Sequence, residues 1–228
     1  MNILNSEIIK TKQKLRKDKI SYFVFAIYFL MVLLLSSVFF VGKKFNIPFE
    51  KITGDPALTF KSHPFIGFLS NIGALIWCYT ASICFFSALI LFKTTDKKKA
   101  LFFMCSGIFT SILLIDDFFM FHDYIFYTFI NSDIVQLIVY IAYAIFLFWY
   151  ILRFLKFILS TLYIFLVLAI GFFGLSVLTD LIFKSKGLQY FIEDSFKFIG
   201  LINWMLFFSI TAYNALLHKL QPLEIKNS

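Results

Sequence analysis

Long apolar runs, each closed by charged residues, recur along this chain and set its reading. Six of them approach the ~20 residues that a helix needs to cross a bilayer. They cover about residues 22–41, 66–92, 100–121, 134–152, 157–183 and 196–217. The pattern predicts an all-α, polytopic integral membrane protein of about six transmembrane helices. The first run is too long for the apolar core of a secretory signal and lacks a small-residue cleavage site, so it is expected to stay attached.

Composition sharpens this class. Hydrophobic residues make up 61% of the chain and charged residues 15%, against about a quarter charged in an ordinary soluble domain. The net charge of +8 sits at the ends of apolar runs, where lysine and arginine set topology and meet lipid headgroups. No basic face interleaves with aromatics in a soluble segment, which argues against a nucleic-acid partner. Lysines 10, 12, 14, 17 and 19, Arg16, Lys93, the run Lys97, Lys98 and Lys99, Arg153, Lys156, Lys219 and Lys226 fall on one side. That side carries about twice the basic residues of the other, which predicts that both termini are cytoplasmic. A multi-pass protein of a cell membrane, most simply the bacterial inner membrane, is expected.

Three regions follow. Residues 1–20 form a basic cytoplasmic segment, read as a topogenic polybasic stretch with a surface helix on anionic lipid as the alternative. Residues 21–218 form a single six-helix domain, and 219–228 a cytoplasmic tail. An external loop spans about 42–65, where Pro48, Gly54, Pro56 and Pro64 argue against helix. The two halves have opposite topology, as in inverted-repeat transporters, without visible sequence similarity between them. Gly107 with Ser111, and Gly171 with Gly174, are read as sites of close helix packing.

Polar residues inside the apolar runs carry what chemistry the chain offers. The stretch Ile115 to Tyr124, IDDFFMFHDY, places three of only 13 acidic residues and one of three histidines within eight positions. Counted from Lys99, Asp116 lies roughly 25 Å along a helix, inside the outer leaflet of an ~30 Å hydrocarbon core. An acid there is costly and normally faces a cavity, a counter-charge or a metal. Asp123, Asp133, Asp180, Glu193 and Asp194 are expected at that same external level, with His63 and His122; His218 alone lies on the opposite side. Successive residues diverge by about 100° on a helix, so Asp116 and Asp117 should not face one narrow cleft equally. Lys197 is the one basic residue placed to neutralise an intramembrane acid, and it is also four residues from Glu193. Asn203 and Trp204 lie one to two turns deeper and extend the lining.

Familiar signatures fail. A third aspartate for DDxxD is replaced by Met120, and HxxxH, HExxH, GxSxG and Walker A patterns are absent. No histidine sits mid-span for haem and no lysine for a retinal Schiff base. Cys78, Cys84 and Cys105 lie inside spans without CxxC spacing and are read as small packing residues. The 34 phenylalanines are read as lipid-facing and packing side chains.

The favoured reading is an acidic, cation-binding site at the external ends of spans three, five and six, in a metal-dependent enzyme acting on a lipid-like substrate. Asp116, Asp117 and His122 are its candidate catalytic residues, and Lys197, Asn203 and Trp204 its candidate substrate contacts. Asp117, His122, Asp180, Glu193 and Asp194 are candidate ligands for a divalent cation, with oxygen-rich ligation suiting Mg, Ca, Mn or Fe. A proton- or cation-coupled transporter and a non-catalytic assembly or accessory subunit stand beside it. In the blandest reading Asp117 and Glu193 merely pair with Lys197, and the remaining acids are solvated helix ends.

Overall fold

The computed structural model describes residues 2–53, 59–63, 65–94, 96–120, 133–182 and 188–224. Those residues contain helices and turns and no strand. The chain divides into two compact units, Met1–Ile66 and Gly67–Ser228.

In the first unit, α1 runs Asn2–Lys44, so the basic N-terminal segment is helical and continuous with the first apolar run. Its side chains from Phe25 to Phe40 are largely exposed, as on a helix whose solvent is lipid. The proline-rich connection contains more helix than its prolines suggest. A short α2, Phe49–Thr53, follows Pro48, and the Lys51 and Ile52 amides donate to the Pro48 carbonyl at 3.0 and 3.3 Å. Proline just ahead of a helix costs no hydrogen bond, because the first amides have no partner in the helix anyway.

The described residues of the second unit form a bundle of five helices: α3 (Phe68–Phe92), α4 (Lys97–Phe119), α5 (Asp133–Leu159), α6 (Ile164–Ile182) and α7 (Leu188–Glu224). A short connection joins α3 to α4, and a turn at residues 160–163 joins α5 to α6. Across the described residues, five helices are long and apolar enough to cross a membrane: Val24–Lys44, Phe68–Phe92, Lys97–Phe119, Leu137–Leu159 and Tyr190–Leu217. The sixth expected span is present as a shorter apolar helix, Ile164–Asp180. It is short because α5 continues past Arg153 and Lys156, whose long side chains can reach toward water from a helix end. Ser160 and Thr161 end α5 instead, their hydroxyls donating to the carbonyls of Phe157 and Ile158 at 2.7 Å each. The last helix starts earlier than its apolar run, so Glu193, Asp194 and Lys197 lie within α7 and not at its opening.

Many of the phenylalanines build the core at one end of the bundle. The buried Phe102 ring packs against Phe103, Tyr150, Phe154, Phe157 and Phe208 at centroid distances of 4.8–6.0 Å, within the range of favourable ring pairs. Lys99 marks that end. It pairs with Asp96 at 3.2 Å and lies 5.8 Å over the Phe157 ring, which brings the α3–α4 turn beside the end of α5. Close helix approach occurs at Gly107, where an added Cβ would lie 2.9 Å from the Phe85 ring. Gly171 and Gly174, expected to do the same, have nothing within 4 Å of such a Cβ. Their role falls to Gly200 on α7, where a Cβ would sit 2.8 Å from Phe173 and 3.2 Å from the Ala169 carbonyl of α6.

Candidate functional site

At the opposite end of the bundle the packing opens into a cavity of about 490 Å³ lined by residues of α3, α4, α5, α6 and α7. Volumes of about 300–1,000 Å³ are usual for small-molecule sites. Helix α3 contributes Trp77; α4 contributes Phe109, Asp116 and Asp117; α5 contributes Tyr140 and Tyr143. From α6 come Phe173, Ser176 and Asp180, and from α7 Glu193, Lys197 and Trp204.

Each acid near the end of α4 has its own partner. Asp116 is 7% exposed and accepts a 2.8 Å hydrogen bond from the Tyr143 hydroxyl of α5. Asp117 forms an ion pair with Lys197 of α7, and its other oxygen accepts from the Trp77 indole N–H of α3 at 3.1 Å. The ~100° between successive residues therefore aims the two aspartates at different helices, although both reach the same cavity. On α6, Asp180 accepts from the Tyr140 hydroxyl at 3.2 Å. Buried carboxylates need such donors, because an unpaired charge in an apolar medium is far costlier than a paired one.

Below the acids lies an aromatic layer. Trp77 stacks on Phe173 at 5.7 Å and meets Trp204 edge-on at 6.4 Å. Phe173 and Phe109 close on Trp204 at 6.1 and 6.0 Å. Trp204 is fixed in turn by donating its indole N–H to the Thr110 hydroxyl at 3.1 Å. The two layers share a spacing in the sequence. Phe109 precedes Asp116 by seven residues, Phe173 precedes Asp180 by seven, and Trp204 follows Lys197 by seven. Seven residues are two helical turns, roughly 10.5 Å along one face. Three helices thus set a charged side chain over an aromatic ring.

The remaining candidate residues are placed as follows. Asp194 lines a second, smaller cavity of about 40 Å³ together with Ser70, Gly73, Asp117 and Lys197. The Asp117–Lys197 pair therefore borders both cavities. Asn203 is not part of the lining: its amide donates to the Ile199 carbonyl one turn back at 2.8 Å. His63, in the first unit, is exposed and accepts from the Phe65 amide at 3.4 Å. His122 and Asp123, and the side chains of Asp133 and His218, lie outside the described residues. Among the described residues, no three His, Cys, Asp or Glu side chains converge to hold a metal ion. The three cysteines are free, with Cys84 buried and Cys78 exposed.

Three donors that hold the site's acids went unread in the sequence: Trp77, Tyr140 and Tyr143. A signal existed for the tyrosines. They stand three apart on one helix face, near the end of a span and at the depth of acids that need donors. Trp77 had no such mark, because its partners Asp117 and Phe173 are distant in the chain.

Fold and site together define a polytopic all-α membrane protein with a ligand-sized cavity, acidic above and aromatic below, inside its helical bundle. By sequence the chain belongs to the family described as a domain of unknown function (DUF8692), whose profile matches residues 24–211. No curated protein and no solved structure matches it significantly.

Proposed function

We propose that this cavity is the working site of the protein and that the protein is a proton- or cation-coupled transporter. One observation carries the reading: Asp116, Asp117 and Asp180, each held by a tyrosine, tryptophan or lysine, line one cavity within apolar helices. Ionisable residues inside a membrane are expensive, and they characteristically mark substrate or ion pathways. A carboxylate beside a phenol at 2.8 Å has a donor suited to its charged form, and a cation or proton arriving in the cavity competes for the same oxygen. Metal-dependent hydrolysis is less well supported, since the described carboxylates divide between separate partners instead of facing one point. A purely structural role leaves the volume of the cavity without a purpose.

The reading includes an orientation. With Lys97, Lys98, Lys99, Arg153 and Lys156 at the cytoplasmic end by the positive-inside rule, the cavity faces the outer leaflet and both termini are inside. The basic stretch of α1 then lies at the anionic cytoplasmic surface.

Reconstitution into proteoliposomes with a trapped pH dye tests the proposal. An imposed gradient of Na⁺, K⁺ or an organic amine should move protons or the cation in a protein-dependent way. Asp116→Asn and Asp180→Asn should abolish that coupling. Equal dissipation by empty vesicles and proteoliposomes, across all cations, rejects transport.

A further inference from the structure

The accessible walls of the cavity are apolar, and they point to what enters it. We propose that the cavity takes up a single-chain lipid with a neutral hydroxyl head, admitted sideways from the bilayer through a cleft between α5 and α6. The inference rests on the reading that this cavity is the working site, but not on transport.

The cleft follows from two helix faces. On α5 the lining includes Tyr140, Tyr143, Ala144 and Leu147. On α6 it includes Ile170, Gly174, Val177 and Leu178. Offsets of three, four, seven and eight residues mark one stripe on each helix. Such stripes ordinarily pack together, and here they stand apart. Helix α6 packs along α7, and α3 along α4, but among the described residues α5 and α6 make no extended backbone contact. Only the turn at residues 160–163 separates them in the chain. Ala144, Gly174 and Leu178 are exposed, and Leu147, Ile170 and Val177 half-buried. Nothing stands within 4 Å of a Cβ added at Gly174, so the small residues leave a window.

Outside that window lies hydrocarbon. Ala144 and Gly174 sit more than one turn from the ends of the apolar segments Leu137–Leu159 and Ile164–Asp180. Beside them Ile141, Ile145, Phe148 and Leu175 are 44–67% exposed, as side chains facing lipid are. A water-soluble molecule would have to shed its hydration to use this entrance. A lipid chain is already there and exchanges one apolar surrounding for another. The volume of about 490 Å³ suits a ligand of drug-like size, one chain with a small head, and is too small for a two-chain phospholipid.

The polar end of the cavity sets the head. Asp116 and Asp180 accept from tyrosines, and Asp117 from Trp77 and Lys197. An ionised carboxylate has about four acceptor sites, so a hydroxyl can donate to one of these acids without displacing the donor it already has. A bare hydrocarbon would lay methylenes against the carboxylates, which is costly.

Photolabelling in proteoliposomes tests this with hexadecanol carrying a diazirine at mid-chain, the labelled peptides being located by mass spectrometry. Saturable labelling of residues 140–147 and 170–178 is expected, since they form the two walls of the cleft. At equal membrane mole fraction, unlabelled hexadecanol should displace the probe at least about tenfold more effectively than hexadecane, a difference of about 1.4 kcal/mol. Gly174→Leu fills the window and should weaken labelling at least about tenfold. Gly171→Leu is its control, adding the same side chain about one turn away, also in open space but outside the lining. It should label like wild type, and leucine favours helix over glycine at both positions. Labelling that never saturates, equal competition by alcohol and alkane, or equal labelling of the two glycine variants overturns the proposal. Saturable labelling without any coupled flux would sustain the ligand class and reject transport. Coupled flux of an inorganic cation without saturable labelling would do the reverse.

Discussion

Neutralising Lys197 should expose how much the bundle depends on one ion pair. In Lys197→Met the Asp117 carboxylate keeps the Trp77 indole as donor but loses its counter-charge. Two limits bracket the cost: about 3–5 kcal/mol for breaking a buried pair, and about 0–1 kcal/mol for an exposed one. With side-chain exposures of 17% for Asp117 and 37% for Lys197, the pair falls between, at about 2 kcal/mol. Asp117→Asn should cost less, because a stranded lysine can extend toward the helix end and water. Combining the two removes both charges, so the double variant should be closer to wild type than the sum of the singles. A coupling of about 1–2 kcal/mol is expected, as for residues in direct contact. Reversible unfolding in mixed detergent–SDS micelles, followed by circular dichroism, measures all four proteins. Additive single effects, or a Lys197→Met protein as stable as wild type, would refute the reasoning.

Other outcomes follow from packing. Gly200→Ala forces a Cβ against Phe173 and the Ala169 carbonyl and should destabilise by about 1–3 kcal/mol, with altered Trp77 and Trp204 emission because Phe173 moves. Gly171→Ala, with open space at its Cβ, should be neutral or gain about 0.5–1 kcal/mol, by the same unfolding assay. Ser106 gives its one proton to the Phe102 carbonyl, so in the 2.6 Å contact with Tyr150 the phenol must be the donor. Ser106→Ala therefore strands a buried phenol, at about 1–3 kcal/mol, and should cost more than Tyr150→Phe, which leaves the serine its carbonyl. Lys98→Cys in intact cells should react with an impermeant maleimide only after permeabilisation; labelling of unbroken cells would reverse the proposed orientation.

Much of the architecture was legible because apolar length and flanking charge are local quantities. Counting basic residues gave the spans alternating directions, and alternation alone carries Asp116, Asp117, Asp180, Glu193 and Lys197 to one end of the bundle. What resisted reading depends on details that composition does not record. The end of α5 was drawn at Arg153 because charge suggests an interface, yet two hydroxyls at Ser160 and Thr161 terminate the helix. Gly171 and Gly174 carry the packing spacing but face open space, while Gly200, with no glycine partner, makes the closest approach. Asn203 looked polar and deep, but a helix lets such a side chain satisfy itself on its own backbone. The seven-residue echo between Phe109–Asp116 and Phe173–Asp180 was in the sequence all along. It becomes meaningful once the two helices are known to face one another across a void.

The C-terminal turn of α4 bears on the order in which the molecule is made. Met120 closes that helix in a left-handed conformation, φ 51°, shortly after Asp116 and Asp117. Negative side chains at a helix C-terminus oppose its dipole, so this turn is disfavoured on its own. Its compensation comes from Trp77, already synthesised, and from Tyr143 and Lys197, still to come. Lys197 is 80 residues downstream of Asp117. During insertion Asp116 must therefore wait for Tyr143 of α5, and Asp117 for Lys197 of α7. A nascent chain stalled before that point would hold Asp117 without its lysine, so the last helix to be made completes the charge pairing of α4.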